Sequence, residues 1–112
     1  MDAFVIVTPE YNHGSPPALG NALDYLVSEW AYKPAAFVAY GGQSGGLRSV
    51  QMTKLVLTAL KMMPIPESVV IAAVTQHVRD GVFHADEAHA KASHALLDEL
   101  ARWSTALATL RG

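Results

Sequence analysis

Residues 3–16 read AFVIVTPEYNHGSP, an apolar run followed by a proline, an acid, an aromatic residue, an amide and a glycine. The apolar part, Ala3–Thr8, does not alternate with polar residues, which favours a strand that is covered on both faces, as in a parallel sheet. Ser15 is a good helix N-cap and Pro16 suits the first helical position. The stretch therefore predicts a strand, a polar loop and the start of a helix.

Two further apolar runs and three segments with helical spacing extend this pattern. The runs are Ala35–Tyr40 and Ser68–Val74, and the helical segments are Pro16–Trp30, Leu47–Met62 and Ala85–Leu110. The predicted order is β-α-β-α-β-α, which implies parallel strands joined by right-handed crossovers. The apolar residues of the second helix wrap more than one face, and a sheet covers only one face. We therefore expect its other face to contact a partner.

Ligands of parallel sheets bind beyond the carboxyl ends of the strands. Three predicted loops lie there: Pro9–Ser15, Gly41–Gly46 and Thr75–Phe83. The second begins GGQSGG, and its four glycines would let a ligand approach the backbone closely. It is neither a Walker A loop nor a GxGxxG dinucleotide loop, because the spacing differs.

The same loop matches G-x-S-x-G over residues 42–46, between a strand and a helix. That pattern is typical of the nucleophile elbow of α/β hydrolases, which would make Ser44 a nucleophile. A hydrolase also needs an acid and a histidine on later strand ends, and only one strand follows. The hydrolase interpretation is therefore an alternative from another reaction class.

The histidines show no metal-binding spacing. His84, His89 and His94 are five residues apart, so on a helix they point about 140° away from one another. They are predicted to be surface residues, and no metal site is expected. His77 falls in the third loop, either solvated or close to the ligand edge of the sheet.

The composition bounds the function further. The chain has 112 residues, enough for one small domain, and 51% of them are apolar while 16% are charged. A formal net charge of −2 gives no indication of nucleic-acid binding, and the lack of cysteine excludes disulfides and thiolate sites. The start Met1-Asp2-Ala3-Phe4 does not read as a signal peptide, and no stretch is long enough for a membrane span. We expect a cytoplasmic protein.

Four segments taken together resemble the NADPH-dependent FMN reductase family, a group of flavodoxin-like proteins that includes quinone, chromate and azo-dye reductases. They are TPEYNHGSPPALGNALDYL, GGQSGGLRSVQ, PESVVIAAV and DGVFHADEA. The resemblance implies a flavodoxin-like three-layer sandwich with a parallel sheet. It also implies that residues 1–112 form an incomplete domain, the C-terminal portion, which lacks the first two strands and the phosphate loop.

The resemblance implies FMN and NAD(P)H as cofactors, with hydride transfer from nicotinamide to bound FMN and no catalytic side chain. The residues it places at the flavin ring are Pro9, Glu10, Tyr11, Asn12, His13, Gly42, Gln43, Ser44, Gly45 and Gly46. Arg48 would hold the second loop. The partner would be a quinone, a flavin or a similar electron acceptor. The alternative within the fold is a non-catalytic or half-site subunit that another chain completes.

The first strand raises a further expectation. In the predicted order it lies at the edge of the sheet with unpaired backbone groups, which recruit another chain. One C-terminal helix about 10 Å wide cannot cover three strands spaced ~4.8 Å apart. We therefore expect a homo-oligomer, or a companion chain that supplies strands, rather than a free monomer that is saturated with flavin.

Overall fold

The computed structural model describes residues 1–112. The chain forms five strands and three α-helices in the order β1 (Phe4–Pro9), α1 (Pro17–Asp24), β2 (Pro34–Tyr40), α2 (Leu47–Ala59), β3 (Met63–Ile71), β4 (Val78–Arg79), β5 (Val82–Phe83) and α3 (Glu87–Ala108). Two short 3-10 turns, Val74–His77 and Thr109–Arg111, complete the structure. The parallel sheet has the order β1-β2-β3, so β2 is its middle strand.

The predicted element order β-α-β-α-β-α is wrong after the third strand. A 3-10 turn and the antiparallel hairpin β4–β5 stand between β3 and α3. Asp80 and Gly81 form the turn of this hairpin, with φ angles of 52° and 75°. Two positive φ values in a two-residue connection are typical of the tight hairpin turns that Asp-Gly favours. This Asp-Gly pair was the local signal that our prediction of a plain loop did not use.

The third strand starts earlier than predicted, at Met63 instead of Ser68. Pro64 and Pro66 lie in the part of the strand that was not predicted. Because β3 lies at the edge of the sheet, a proline can occupy it without removing a hydrogen bond between strands. The register between β2 and β3 shifts once, between Ala35 and Phe37.

The first helix is shorter than predicted and ends at Asp24 instead of Trp30. Its N-cap is Pro16, with no side-chain cap, so the prediction of a Ser15 cap is wrong. The Trp30 ring packs edge-on against Phe4 with 4.9 Å between the ring centroids, and its indole N–H donates to the Leu23 carbonyl at 3.0 Å. Tertiary contact, and not helix periodicity, therefore places this tryptophan.

The sheet has helices on both faces, and each face holds its own apolar cluster. The cluster under α1 and α2 contains Leu23, Ala35, Phe37, Ala39, Val50, Leu57 and Met62. The cluster under α3 contains Ala36, Ile65, Val69, Ile71, Leu96 and Leu100. Alternate residues of β2 contribute to opposite clusters, as the two-residue period of a strand requires.

The third helix covers β2 and β3 but leaves β1 open. The side chains of Val5 and Val7, which point away from α1 and α2, are 43% and 64% exposed. This confirms the expectation that one helix cannot cover three strands. The second face of α2 is also apolar and open, as predicted, since Leu47, Met52 and Leu55 are exposed.

The third helix begins with a capping box. The Asp86 carboxylate accepts the His89 backbone N–H at 2.8 Å, and the Asp86 backbone N–H donates to His89 Nδ1 at 3.3 Å. The helix runs to Ala108, close to the predicted end. None of the helices combines the length and the apolar composition that crossing a membrane requires.

The two faces of α2 give a matched test of the core. Leu57 is fully buried, whereas Leu55 is 75% exposed on the same helix. We expect Leu57→Ala to lower the free energy of unfolding by about 2–5 kcal/mol, because it removes buried methyl groups and leaves a cavity. Leu55→Ala should change it by less than about 0.5 kcal/mol. Urea denaturation of both variants checks the assignment, and equal effects would contradict it.

Candidate functional site

The first loop after β1 is a tight turn that holds three side chains outward. Tyr11 N donates to the Gly14 carbonyl at 2.8 Å, and Gly14 N donates to the Tyr11 carbonyl at 3.0 Å. The two residues between them, Asn12 and His13, have φ angles of 51° and 72°. Tyr11, Asn12 and His13 are all exposed. Asparagine tolerates this left-handed conformation better than histidine, and such backbone outliers cluster at functional sites.

The second loop, which follows β2, contains two glycines that are packed inside the protein. A Cβ atom on Gly45 would lie 2.5 Å from Cγ1 of Val70 and 3.0 Å from the Ala72 nitrogen. A Cβ atom on Gly46 would lie 2.8 Å from Cβ of Ala39. Both glycines have positive φ angles, 67° and 90°. Their role is to let this loop and the start of α2 approach the sheet.

Only one of the four glycines faces open space. A Cβ on Gly42 would meet nothing within 4 Å, and both Gly42 and Gln43 are exposed. The absence of a side chain at Gly45 and Gly46 therefore serves the packing of the loop, and contact of their backbone with a ligand stays a prediction. A valine at position 45 would collide with Val70, not with a bound ring.

A carboxylate joins the two loops. Glu10 Oε1 accepts the Ser44 hydroxyl at 2.9 Å and the Arg48 backbone N–H at 3.0 Å. Its Oε2 accepts Arg48 Nε at 2.8 Å and lies 2.7 Å from Arg48 Nη2. The Glu10 side chain is only 8% exposed. Arg48 therefore holds the second loop, as predicted. Both oxygens of the Glu10 carboxylate are occupied by hydrogen bonds to Ser44 and Arg48.

The surroundings of Glu10 stabilise its charged form. Burial of the carboxyl raises its pKa, but the hydrogen bonds from the Arg48 side chain, the Ser44 hydroxyl and the Arg48 backbone, together with the Arg48 charge, outweigh burial. The pKa of Glu10 is lowered as a result. The loops are therefore joined by a charged carboxylate at neutral pH.

The same contacts bear on the hydrolase alternative. Ser44 donates its hydroxyl hydrogen to Glu10 and lies 3.4 Å from Arg48 Nη2. A serine nucleophile needs a histidine base at its hydroxyl. No histidine hydrogen-bonds to Ser44, so the arrangement does not form the hydrolytic constellation.

The segment after β3 is hydrogen-bonded to the backbone of the second loop. Ala73 N donates to the Gly42 carbonyl at 2.7 Å, and Val74 N donates to the Gly41 carbonyl at 3.0 Å. Gly41 N in turn donates to the Ile71 carbonyl at 3.2 Å. The outward-facing backbone at Gly42 is thus fixed by β3 and by Glu10.

The two loops expose groups of the kinds that can contact a flavin ring. Exposed Tyr11 supplies an apolar plate, Asn12 an amide, and Gly42 a backbone position that no side chain fills. The surface is open, because the three cavities of the structure are lined by other residues. These groups can therefore contact a ring from one side, without enclosing it.

Three parallel strands with helices on both faces and loops at their carboxyl ends form a doubly wound α/β unit. The sequence model of the NADPH-dependent FMN reductase family matches residues 1–76. The chain belongs to this family.

Several curated proteins are similar to the chain. An NAD(P)H-dependent FMN reductase of Schizosaccharomyces pombe is 43% identical over 81 residues, which cover 72% of this chain and 40% of that protein. One of Saccharomyces cerevisiae is 42% identical over 84 residues, covering 62% and 44%. An NADPH azoreductase of a Bacillus species is 38% identical over 87 residues, covering 76% and 48%. The chain thus spans less than half the length of these relatives.

The family match corrects the predicted place of the chain in the fold. The prediction of a C-terminal portion that lacks the first two strands is wrong. The matched region starts at residue 1 and holds all three parallel strands, the first beginning at Phe4, and it supports the N-terminal portion of the flavodoxin-like fold. The strand–loop–helix units of such a sheet resemble one another locally. A loop signature can therefore identify the family without locating the unit within the sheet.

A second group of polar side chains lies outside the two loops. His77, Asp86 and His89 meet where the hairpin β4–β5 approaches the start of α3. The five-residue spacing of His84, His89 and His94 predicted no metal site, and this cluster was not predicted from the sequence. The spacing of Asp86 and His89, three residues apart at a helix start, was a usable signal, but the approach of His77 depends on the hairpin.

The glycines of the second loop give a direct test of its packing. Gly46→Ala should lower the free energy of unfolding by about 1–3 kcal/mol, because the new methyl group would overlap with β2. Gly42→Ala faces open space and should change it by no more than about 1 kcal/mol, in either direction. Chemical denaturation measures both. Equal stabilities of the two variants would contradict the described packing.

The Glu10 contacts predict a pH dependence. Since the pKa of Glu10 is lower in the folded protein, its contribution to stability is present above the ordinary glutamate pKa and disappears as the pH falls through the folded value. Wild type should be more stable than Glu10→Gln at pH 7, and the difference should shrink below about pH 4. The pKa values of Glu29 and Asp86 are also lowered. Both residues are present in wild type and in Glu10→Gln, so their effects on stability cancel in the difference. Thermal unfolding at several pH values checks this, and a constant difference down to pH 3, roughly a unit below the ordinary value, would contradict it.

Proposed function

We propose that this chain holds the isoalloxazine ring of FMN in an NAD(P)H-dependent reductase. The observation that carries the proposal is the charged Glu10 carboxylate, which joins the two loops through Ser44 and Arg48. The contacts leave the Tyr11–Gly14 turn and the backbone at Gly42 exposed on the same edge of the sheet. The family and its reductase relatives support the same function.

The residues of the two loops would have different roles in binding the ring. Asn12 would hydrogen-bond to the polar rim of the ring, and Tyr11 and His13 would lie beside it. The backbone of Gly42 and Gln43 would line the other part of the rim. Pro9 ends β1 and sets the direction of the first loop. Gly45 and Gly46 would act indirectly, by holding the loop against the sheet.

FMN supplies the redox chemistry when bound, accepting hydride from NAD(P)H and passing electrons to an acceptor. The chain contributes orientation and partial exclusion of water, and no side chain needs to act as an acid or base. A quinone, a flavin or a similar small molecule is the proposed acceptor. Relatives described as NADPH azoreductase and quinone reductase support an acceptor of this class.

A further polypeptide would complete the site. The two loops form an open surface, β1 is an edge strand, and Val5 and Val7 are exposed on the sheet face that α3 leaves uncovered. An apolar edge strand presents unpaired backbone groups with which another strand can pair. We propose that a second copy or a companion chain pairs here, and that the flavin is enclosed in that assembly.

Flavin binding tests the proposal through Asn12. Asn12→Gly removes the amide yet keeps the turn, because glycine adopts a positive φ without strain. It should raise the Kd for FMN by about 5- to 150-fold, as expected from roughly 1–3 kcal/mol for an unpaired polar partner. Asn21→Ala removes the same group from the exposed face of α1 and should leave the Kd unchanged. Quenching of FMN fluorescence gives all three values.

Two further measurements use the same sample. Anaerobic NADPH should bleach the visible absorbance of the bound FMN, and light scattering gives the number of chains in the complex. Failure of the wild-type protein to bind FMN, or an unchanged Kd in Asn12→Gly, would contradict the proposed ring site. A flavin-saturated single chain would contradict the proposed completion by a further polypeptide.

A further inference from the structure

Three metal-ligating side chains meet beside the hairpin β4–β5. His77 ends the 3-10 turn that follows β3, Asp86 is the N-cap of α3, and His89 lies in the first turn of that helix. One ligand atom from each side chain lies within 4.8 Å of the other two. The hairpin reverses the direction of the chain, and His84 N donates to the His77 carbonyl at 2.7 Å. This reversal brings His77 close to Asp86, which lies nine positions further along the chain.

The spacing is close to that of a bound metal ion. Around tetrahedral zinc, with bonds of about 2.0–2.2 Å, neighbouring ligand atoms lie roughly 3.3 Å apart. Asp86 Oδ1 and His89 Nδ1 are already 3.4 Å apart. The imidazoles of His77 and His89 have 4.8 Å between their centroids. Since no two of the three ligand atoms are more than 4.8 Å apart, a shift of His77 by at most roughly 1.5 Å would bring all three to zinc-binding distance.

The lone pair of His89 is available for such an ion. Its Nδ1 is the hydrogen-bond acceptor for the Asp86 backbone N–H. The hydrogen bond is long, at 3.3 Å, compared with about 2.9–3.0 Å for a typical N–H bond. A metal bond can replace it at little cost. Asp86 keeps its other contact, the bond from His89 N at 2.8 Å.

The cluster is sheltered on one side and open on the other. The His89 side chain is 14% exposed and stacks against Phe83 with 6.2 Å between the ring centroids. The Asp86 side chain is 51% exposed. Three protein ligands with one wet side are typical of zinc sites that keep a fourth position for water.

We propose that His77, Asp86 and His89 bind a divalent transition-metal ion of the zinc type. Two imidazole nitrogens and one carboxylate oxygen favour zinc over Mg²⁺ and Ca²⁺, which take oxygen ligands almost exclusively. The carboxylate also offsets part of the charge of the ion. The bound ion would tie the exposed hairpin β4–β5 to the start of α3. None of its three residues is among those that join the two loops through Glu10.

Calorimetric titration of the tag-free, chelator-treated protein with Zn²⁺ tests this site. Wild type should bind one ion per chain and should not bind Mg²⁺ with comparable affinity. His77→Gln and His89→Gln should each weaken Zn²⁺ binding by more than about tenfold, the smallest loss seen when only an outer hydrogen-bond partner is removed. Glutamine at position 89 preserves the capping box, so α3 stays intact.

His94→Gln is the matched control, since His94 is exposed on α3 outside the cluster. It should bind Zn²⁺ as tightly as wild type. Zn²⁺ should also raise the Tm of wild type and of His94→Gln, but not of His77→Gln, because only the first two bind the ion. No Zn²⁺ binding by wild type, unchanged affinity in His77→Gln, or equal loss in His94→Gln would each overturn the proposal.

Discussion

Burial of β2 is the constraint on which the rest of the structure depends. This strand pairs with β1 and β3 and is covered by helices on both faces, and Ala35, Ala36, Phe37 and Ala39 have no exposed surface. Small residues at three of these positions let the helices approach closely. A small residue is also required at Gly46, directly before α2, because a Cβ there would lie 2.8 Å from Cβ of Ala39. The start of α2, and with it Arg48, is therefore positioned by the middle of the sheet.

The parallel register of β1 and β2 positions the two loops of the candidate site. Pro9 is paired with Tyr40, so β1 and β2 end side by side and their loops leave the sheet together. Glu10 then joins the loops through a carboxylate with a lowered pKa. Residues of the two loops thereby separate into two kinds. Glu10, Ser44, Gly45 and Gly46 maintain the loop structure, whereas Tyr11, Asn12, His13, Gly42 and Gln43 remain accessible to a ligand.

Strand and helix bounds follow most directly from the sequence where apolar residues are continuously buried. The first strand lies within one residue of its predicted bounds, and α2 begins at the predicted Leu47. Errors arose where tertiary position overrides a local preference. Prolines in β3 are compatible with an edge strand, and Trp30 packs on Phe4 although its spacing suits a helix. The place of the chain in the flavodoxin-like fold was also wrong, because neighbouring strand–helix units carry similar patterns.

The sequence by itself determined the alternation of strands and helices, the two loops at the strand ends and the family. These follow from apolar periodicity and from short motifs, which act over a few residues. Only the tertiary structure decided which loop residues support the fold and which face outward. It also brought together Glu10 with Arg48, which are 38 residues apart, and His77 with Asp86 and His89. Such pairs depend on crossovers, register and hairpin geometry, and no local pattern of residues encodes the distance between two side chains.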